Sequence, residues 1–233
     1  MSFNAVNILN DIENLFFPEV CLACMEKLVA NEKTICIACR HNLPLTHFHN
    51  YKGNPVEQIL YGRFKLENAT AFLYYREAGS VRNLIHNLKY KHQEQIGDML
   101  GVWMGYELSK IENYKKIDAV IPVPLHHKRL KKRGYNQVAQ FGKQLAVALD
   151  ANYIDNVLYR TVNSRTQTLK NRLKRWEHIE TIFAIKNQHI LKNKHLLIVD
   201  DIITTGATIE ACANSLKVIQ GIKLSIATMA ITE

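Results

Sequence analysis

The residues of this chain best suited to chemistry are two adjacent carboxylates, Asp200 and Asp201, a hydroxyl-rich turn, Thr204-Thr205-Gly206-Ala207-Thr208, and four cysteines near the N-terminus. The turn stands where a continuous apolar run, Leu196 to Val199, gives way to apolar residues at helical spacing: Ile209, Cys212, Ala213, Leu216 and Ile219. A helix N-terminus offers unpaired amides and the positive end of a dipole, and hydroxyls with a glycine let a phosphate sit on that backbone. The turn therefore suits a phosphomonoester. Carboxylates at the end of the preceding strand can accept hydrogen bonds from vicinal sugar hydroxyls, so the two features together fit a pentose phosphate. The bland alternative is two acids leaving a strand and Thr205 capping a helix.

Cys21-x2-Cys24 and Cys36-x2-Cys39 are two pairs close in sequence. Each can place two thiolates on one turn, and two such turns make a tetrahedral four-sulfur cage for Zn²⁺, a closed structural site. Buried thiols, or redox-active Cys-x-x-Cys pairs, are the alternatives. His41, His47 and His49 are read as loop histidines and Cys212 as core.

A third chemical stretch is IDAVIPVPLHHKRLKKRGYNQ, where a short apolar strand at 117–121 runs into two prolines and then a dense basic run. Backbone at a strand end with cations nearby suits a pyrophosphate, which points to Val123, Pro124, Leu125 and His126, supplemented by Arg133. Lys128, Arg129, Lys131, Lys132 and Arg133, with Tyr135 and, further on, Trp176, also fit a single-stranded nucleic-acid track of cations and stacking rings. A solvated basic face is the alternative. Residues 160–178 add Arg160, Arg165, Lys170, Arg172, Lys174 and Arg175.

The elements that must position these groups follow from patterning. The unalternated run before Asp200 reads as a strand buried on both faces of a parallel sheet. Ala69 to Tyr75 reads as another strand, followed by a helix capped at Ser80 with Val81, Leu84, Ile85 and Leu88 inward and Lys89 at its basic end. Further helices place Ile96 to Leu108 and Val138 to Leu149 inward, and Phe3, Val6, Leu9, Ile12, Leu15 and Phe16 form an N-terminal amphipathic helix ending before Pro18. The 233 residues suffice for one α/β domain with a small appendage, divided at Gly53-Asn54-Pro55 into 1–55 and 56–233. A formal charge of +9 favours polyanionic partners. No run approaches a membrane span and the first residues lack a basic n-region, so a soluble cytoplasmic protein is expected.

The apolar run, two acids, two apolar residues and Thr-Thr-Gly-x-Thr resemble the phosphoribosyl-pyrophosphate motif of type I phosphoribosyltransferases. The four cysteines, the Val-Arg-x-Leu-Ile-x3-Lys-Tyr segment ending at Tyr90, PVPLH at 122–126, RGYNQ at 133–137, and Arg160 with Gln167 extend the resemblance to the ComF family. Where that pattern carries an Asn near position 178, this chain has Glu177-His178. The resemblance implies a type I phosphoribosyltransferase fold, a parallel sheet flanked by helices, joined to a zinc ribbon. It further implies that Asp200 and Asp201, also the candidate catalytic residues, hold the ribose hydroxyls of phosphoribosyl pyrophosphate, and that Thr204, Thr205, Gly206, Ala207 and Thr208 cradle its 5-phosphate. Mg²⁺ would accompany that ligand. The implied role lies in natural transformation, on incoming single-stranded DNA with DNA-processing partners in the cytoplasm. A pentosyl transferase of nucleotide metabolism and a non-catalytic sensor that binds DNA stay open, as does the acceptor.

Overall fold

The computed structural model describes residues 18–161 and 182–233. The expected N-terminal helix, and the basic stretch from 162 to 178 with Arg165, Gln167 and Trp176, lie outside the described residues.

In chain order the chain forms α1 (Ile37–Asn42), α2 (Pro55–Leu60), β1 (Asn68–Tyr75), α3 (Ser80–Tyr90), α4 (Gln95–Ser109), β2 (Ala119–Pro122), α5 (His127–Arg133) and α6 (Ala139–Ala148). Strands β3 (Asn152–Tyr153), β4 (Leu158–Arg160), β5 (Phe183–Ile185) and β6 (His195–Ile203), helix α7 (Ala207–Leu216) and strand β7 (Lys223–Thr232) follow. Five strands make one sheet in the order β1-β7-β6-β2-β3, every pair parallel, while β4 and β5 form a separate antiparallel pair. The parallel sheet with flanking helices is the architecture expected from the unalternated apolar strand.

Strand β6 sits at the centre, and its side-chain alternation divides the core in two. Leu197 and Val199 face a cluster with Leu84, Leu88, Leu100, Phe141 and Leu145, from α3, α4 and α6. Leu196 and Ile198 face Val56, Leu60, Ile209, Cys212 and Leu216, from α2 and α7. Cys212 is thus core, as expected. Close seating of α4 on α6 depends on Gly101, where an added Cβ would stand 2.8 Å from the Phe141 carbonyl oxygen.

Two local expectations are corrected. Ser80 does not cap α3: it is the first helical residue, and Gly79, at φ 104°, occupies the cap position with no side-chain bond. The strand does not end at the carboxylates either. It continues to Ile203, because the ten-residue β7 runs beside it and pairs Asp200 with Thr228 and Ile203 with Ile231.

The cysteine-bearing segment is fastened to the body. Asn83 and Asn87 of α3 donate from Nδ2 to the carbonyls of Ala23 (2.8 Å) and Leu22 (3.0 Å), and Arg40 lies over the Trp103 ring. Cys21, Leu22, Ala23, Ile35 and Leu43 join the same apolar cluster as α3 and α4. Residues 44–46 run along the outer edge of β1, with Thr46 N–H donating to Phe72 O and Tyr74 N–H to Pro44 O. That cover blunts an edge strand.

Candidate functional site

The period of two that splits the core also decides what each carboxylate meets. Asp201 follows Leu197 and Val199 onto the α3/α6 side of β6, where Lys89 Nζ lies 2.9 Å from its Oδ2 and Gln137 Nε2 donates to the same oxygen at 2.8 Å. Asp200 points the other way, toward Cys212 and Arg160. Both carboxylates are nearly buried, at 8% and 7% exposure. Burial, and then the charge of Asp201, push the Asp200 carboxyl up to about 8. Asp200 Oδ1 accepts the Asp201 amide at 2.8 Å, and Asp201 Oδ1 the Ile202 amide at 2.7 Å, so each carboxylate is oriented by the amide of the residue that follows it.

Lys89 and Gln137 carry the largest correction to the sequence reading. Periodicity assigned Lys89 to the basic last turn of a helix, and Gln137 received no role beyond the RGYNQ pattern. In the fold, α3 ends beside the carboxyl end of β6, and the turn after α5 brings Gln137 there as well. The signal that could have found them was the pair of short segments, Val-Arg-x-Leu-Ile-x3-Lys-Tyr and RGYNQ, each with one long polar residue at its end. Gln137 Oε1 in turn accepts from Arg133, whose guanidinium stacks 5.6 Å from the Tyr90 ring centroid. A chain of contacts therefore runs Lys89, Asp201, Gln137, Arg133.

Beyond it opens a cavity of about 440 Å³ lined by Lys89, Tyr90, His92, Lys128, Arg129, Lys132 and Arg133. Of the residues expected to track a polyanion, Lys128, Arg129, Lys132 and Arg133 line this space; Lys131 and Tyr135 are not in the lining. The Tyr135 hydroxyl donates to the Leu88 carbonyl and its ring packs 5.6 Å from His92.

At the expected pyrophosphate loop, the Val123 amide donates to the Val199 carbonyl at 2.9 Å and Pro124 has no N–H to give. His126 is buried, and its Nδ1 accepts the Lys128 amide at 3.3 Å, capping α5. Leu125 stands between them. Burial, followed by the charges of His127, Lys128, Arg160 and Arg129, pulls the His126 imidazole below its usual value.

The hydroxyl-rich turn follows β6 directly. Thr204, Thr205 and Ala207 are exposed, Thr208 is half-buried and Gly206 is buried. Gly206 caps α7 at φ 75°, the left-handed region, and no side chain caps that helix. An added Cβ there would stand 2.8 Å from Leu60 Cδ2 and 3.0 Å from Ile59 Cγ2, so α2 closes over the turn.

The four cysteines converge as their spacing implied. The Sγ atoms of Cys21, Cys24, Cys36 and Cys39 all lie within 4.8 Å of one another, a donor set able to hold a metal ion. Backbone amides of Cys36 and Cys39 donate to the sulfurs of Cys21 (3.2 Å) and Cys36 (3.3 Å), the first bond joining the two pairs and the second closing a local turn. His41, His47 and His49 stand outside the cluster. Among the described residues no helix is long and apolar enough to cross a membrane.

Comparison with known proteins agrees with this arrangement. The family model described as Phosphoribosyl transferase domain matches residues 107–230, just over half the chain, including β6, the turn and α7. Competence protein F of Haemophilus influenzae is 25% identical over 217 residues, 87% of this chain and 92% of the relative. DNA utilization protein YhgH of Escherichia coli is 26% identical over 200 residues, 84% of this chain and 83% of the relative. Competence protein ComFC of Streptococcus pneumoniae is 35% identical over 115 residues, 48% of each. This chain joins a cysteine cluster to a parallel sheet whose central strand carries paired acids and a threonine turn near its carboxyl end, and it belongs to the ComF family of type I phosphoribosyltransferase-like proteins.

Proposed function

We propose that this chain binds phosphoribosyl pyrophosphate at the carboxyl end of β6 and transfers or senses its phosphoribosyl group in the handling of cytoplasmic single-stranded DNA. The observation that supports this is the juxtaposition of an acid pair, a hydroxyl-rich turn and a cluster of cations around one strand end. The 5-phosphate sits on the amides and hydroxyls of Thr204 to Thr208 at the uncapped N-terminus of α7. A ribose hydroxyl donates to Asp201, while Asp200, turned to the other side of β6, orients the Asp201 amide. Asp201 already accepts from Lys89 and Gln137, so a sugar hydroxyl must share or replace those bonds. Lys89 and Arg133 neutralise the diphosphate as it leaves, stabilisation delivered where negative charge develops. Fixing the ribose while the anomeric carbon loses its leaving group supplies the rest, since such a transfer requires little covalent help.

Two metals fit the donors present. Oxygen ligands such as Asp200 and Asp201 suit Mg²⁺, which arrives with the diphosphate and supplies charge neutralisation. The thiolates of Cys21, Cys24, Cys36 and Cys39 suit Zn²⁺, which supplies folding energy to a segment with little core of its own.

The cavity lined by Lys128, Arg129, Lys132 and Arg133 favours single-stranded DNA as the second partner, and the curated relatives include competence and DNA utilization proteins. The two parts are tested separately. Calorimetry should show binding of phosphoribosyl pyrophosphate with Mg²⁺ and its loss in the Asp200→Asn/Asp201→Asn double variant; unchanged affinity would remove the sugar site. DNA binding that is insensitive to salt would remove the electrostatic track.

A further inference from the structure

We infer that Arg63, outside the recognised motif and far from it in sequence, is a second-element clamp on the phosphate held by the threonine turn, parked on Glu210 until that phosphate arrives. The assignment rests on the proposed function, since it needs a phosphate at the turn.

The placement comes from two contacts. An added Cβ on Gly206 would stand 3.7 Å from Arg63 Nη1, so the guanidinium already lies over the glycine that lets a phosphate approach the backbone. The same Nη1 donates to Glu210 Oε2 at 2.9 Å, in the first turn of α7. A carboxylate there opposes a dianion at the helix N-terminus. Arg63 is the cation that covers it.

The arginine is held in register by a rigid support. Asn54 caps α2 through Oδ1, which accepts the amides of Val56 and Glu57, and its Nδ2 donates to the Ala69 carbonyl at 2.9 Å. Helix α2 then buries Leu60 against Gly206, and the Arg63 amide donates to the Leu60 carbonyl at 3.2 Å. The guanidinium thus starts three residues from a point fixed on the turn. Its present partner is a half-exposed pair, 33% and 36% accessible, the kind of surface ion pair that is cheap to exchange. A phosphate dianion offers the same fork two oxygens and more charge.

Glu210 has a distinct part in this arrangement: it competes with the ligand for Arg63. Substituting it should therefore tighten phosphate binding, which a purely structural ion pair would not do.

The test measures calorimetric affinity for three probes with Mg²⁺: ribose 5-phosphate, phosphoribosyl pyrophosphate and inorganic diphosphate. Arg63→Ala should weaken both sugar phosphates at least about tenfold while leaving diphosphate unchanged. Arg63→Lys should recover part of the loss, and Glu210→Gln should tighten both sugar phosphates several-fold. In Arg63→Ala/Glu210→Gln the affinity should stay low; full recovery would mean that Arg63 only masks Glu210 and would overturn direct contact. Equal weakening for all three probes would also overturn it, as a general loss of structure. If the wild-type chain binds neither sugar phosphate, the proposed function falls and the clamp with it; if it binds and Arg63→Ala binds equally well, the clamp alone is wrong.

Discussion

Lys89→Met removes the cation paired with Asp201. Lys89 Nζ is 2.9 Å from Asp201 Oδ2, with the two side chains only 21% and 10% exposed. Breaking a fully buried pair from one side costs about 3–5 kcal/mol, because a charge is left without its partner. Here the cost is lower, since Asp201 keeps the Gln137 amide at 2.8 Å and the missing amine opens a path for water. A loss of about 2 kcal/mol at pH 8 is expected. With a urea slope of about 2.5 kcal/mol/M, that lowers the midpoint by roughly 0.8 M. Its pH dependence has a definite sign. Lys89 holds the neighbouring Asp200 carboxyl down, so removing it raises a group that burial has already raised. A carboxyl raised in the folded state stabilises most below its unfolded value and loses that stability as pH rises through the folded one. The penalty of Lys89→Met should therefore be nearly level from about pH 5 to about pH 7 and grow as pH rises through about 8 and above. In an Asp201→Asn background it should shrink to below about 0.5 kcal/mol, the coupling a double-mutant cycle reads. An equal loss in both backgrounds, or no loss, would refute the assignment.

Other outcomes follow from the same geometry. Asp200→Asn should raise the urea midpoint more at pH 8.5 than at pH 5, because over that range the native carboxyl, pushed up to about 8, keeps a proton that the unfolded chain has released. Gly206→Ala meets Leu60 at 2.8 Å and a φ of 75°; it should cost about 1–2 kcal/mol in denaturant melts and weaken sugar-phosphate binding. Chelation of the cysteine cage should release its segment from α3 and α4, read as a change in Trp103 fluorescence where Arg40 now stacks. Neutralising Lys128, Arg129, Lys132 and Arg133 should reduce the salt slope of single-stranded DNA binding by about 3, as 0.7 per phosphate contact implies.

How far the sequence was legible depends on the range of the signal. The buried strand at Leu196 to Val199, the inward stripes of α3, α4 and α7 and the cysteine pairs are local patterns, and each is present in the fold. The family segments added Arg133 and Gln137 to the neighbourhood of Asp201 without saying how. What stayed hidden was set by tertiary geometry. The alternation of β6 sends Asp200 and Asp201 to opposite sides, although the period of two was there to be read. Lys89 looked like a helix-end charge because only the packing of α3 against the sheet aims it at a carboxylate. The Val123 amide looked available because its partner, the Val199 carbonyl, belongs to a strand 76 residues on. Arg63 had no pattern at all around it.

Thermal shift with phosphoribosyl pyrophosphate and Mg²⁺ tests the sugar-phosphate site most directly. At a ligand concentration about 100-fold above Kd, linkage stabilises the chain by about 2.7 kcal/mol, which for a domain of this size is a rise in Tm of roughly 5–10 °C. The wild-type chain should show that rise, and the Asp200→Asn/Asp201→Asn variant should not. A wild-type Tm that stays fixed at saturating ligand, or a variant that rises with it, contradicts a sugar phosphate docked at the end of β6.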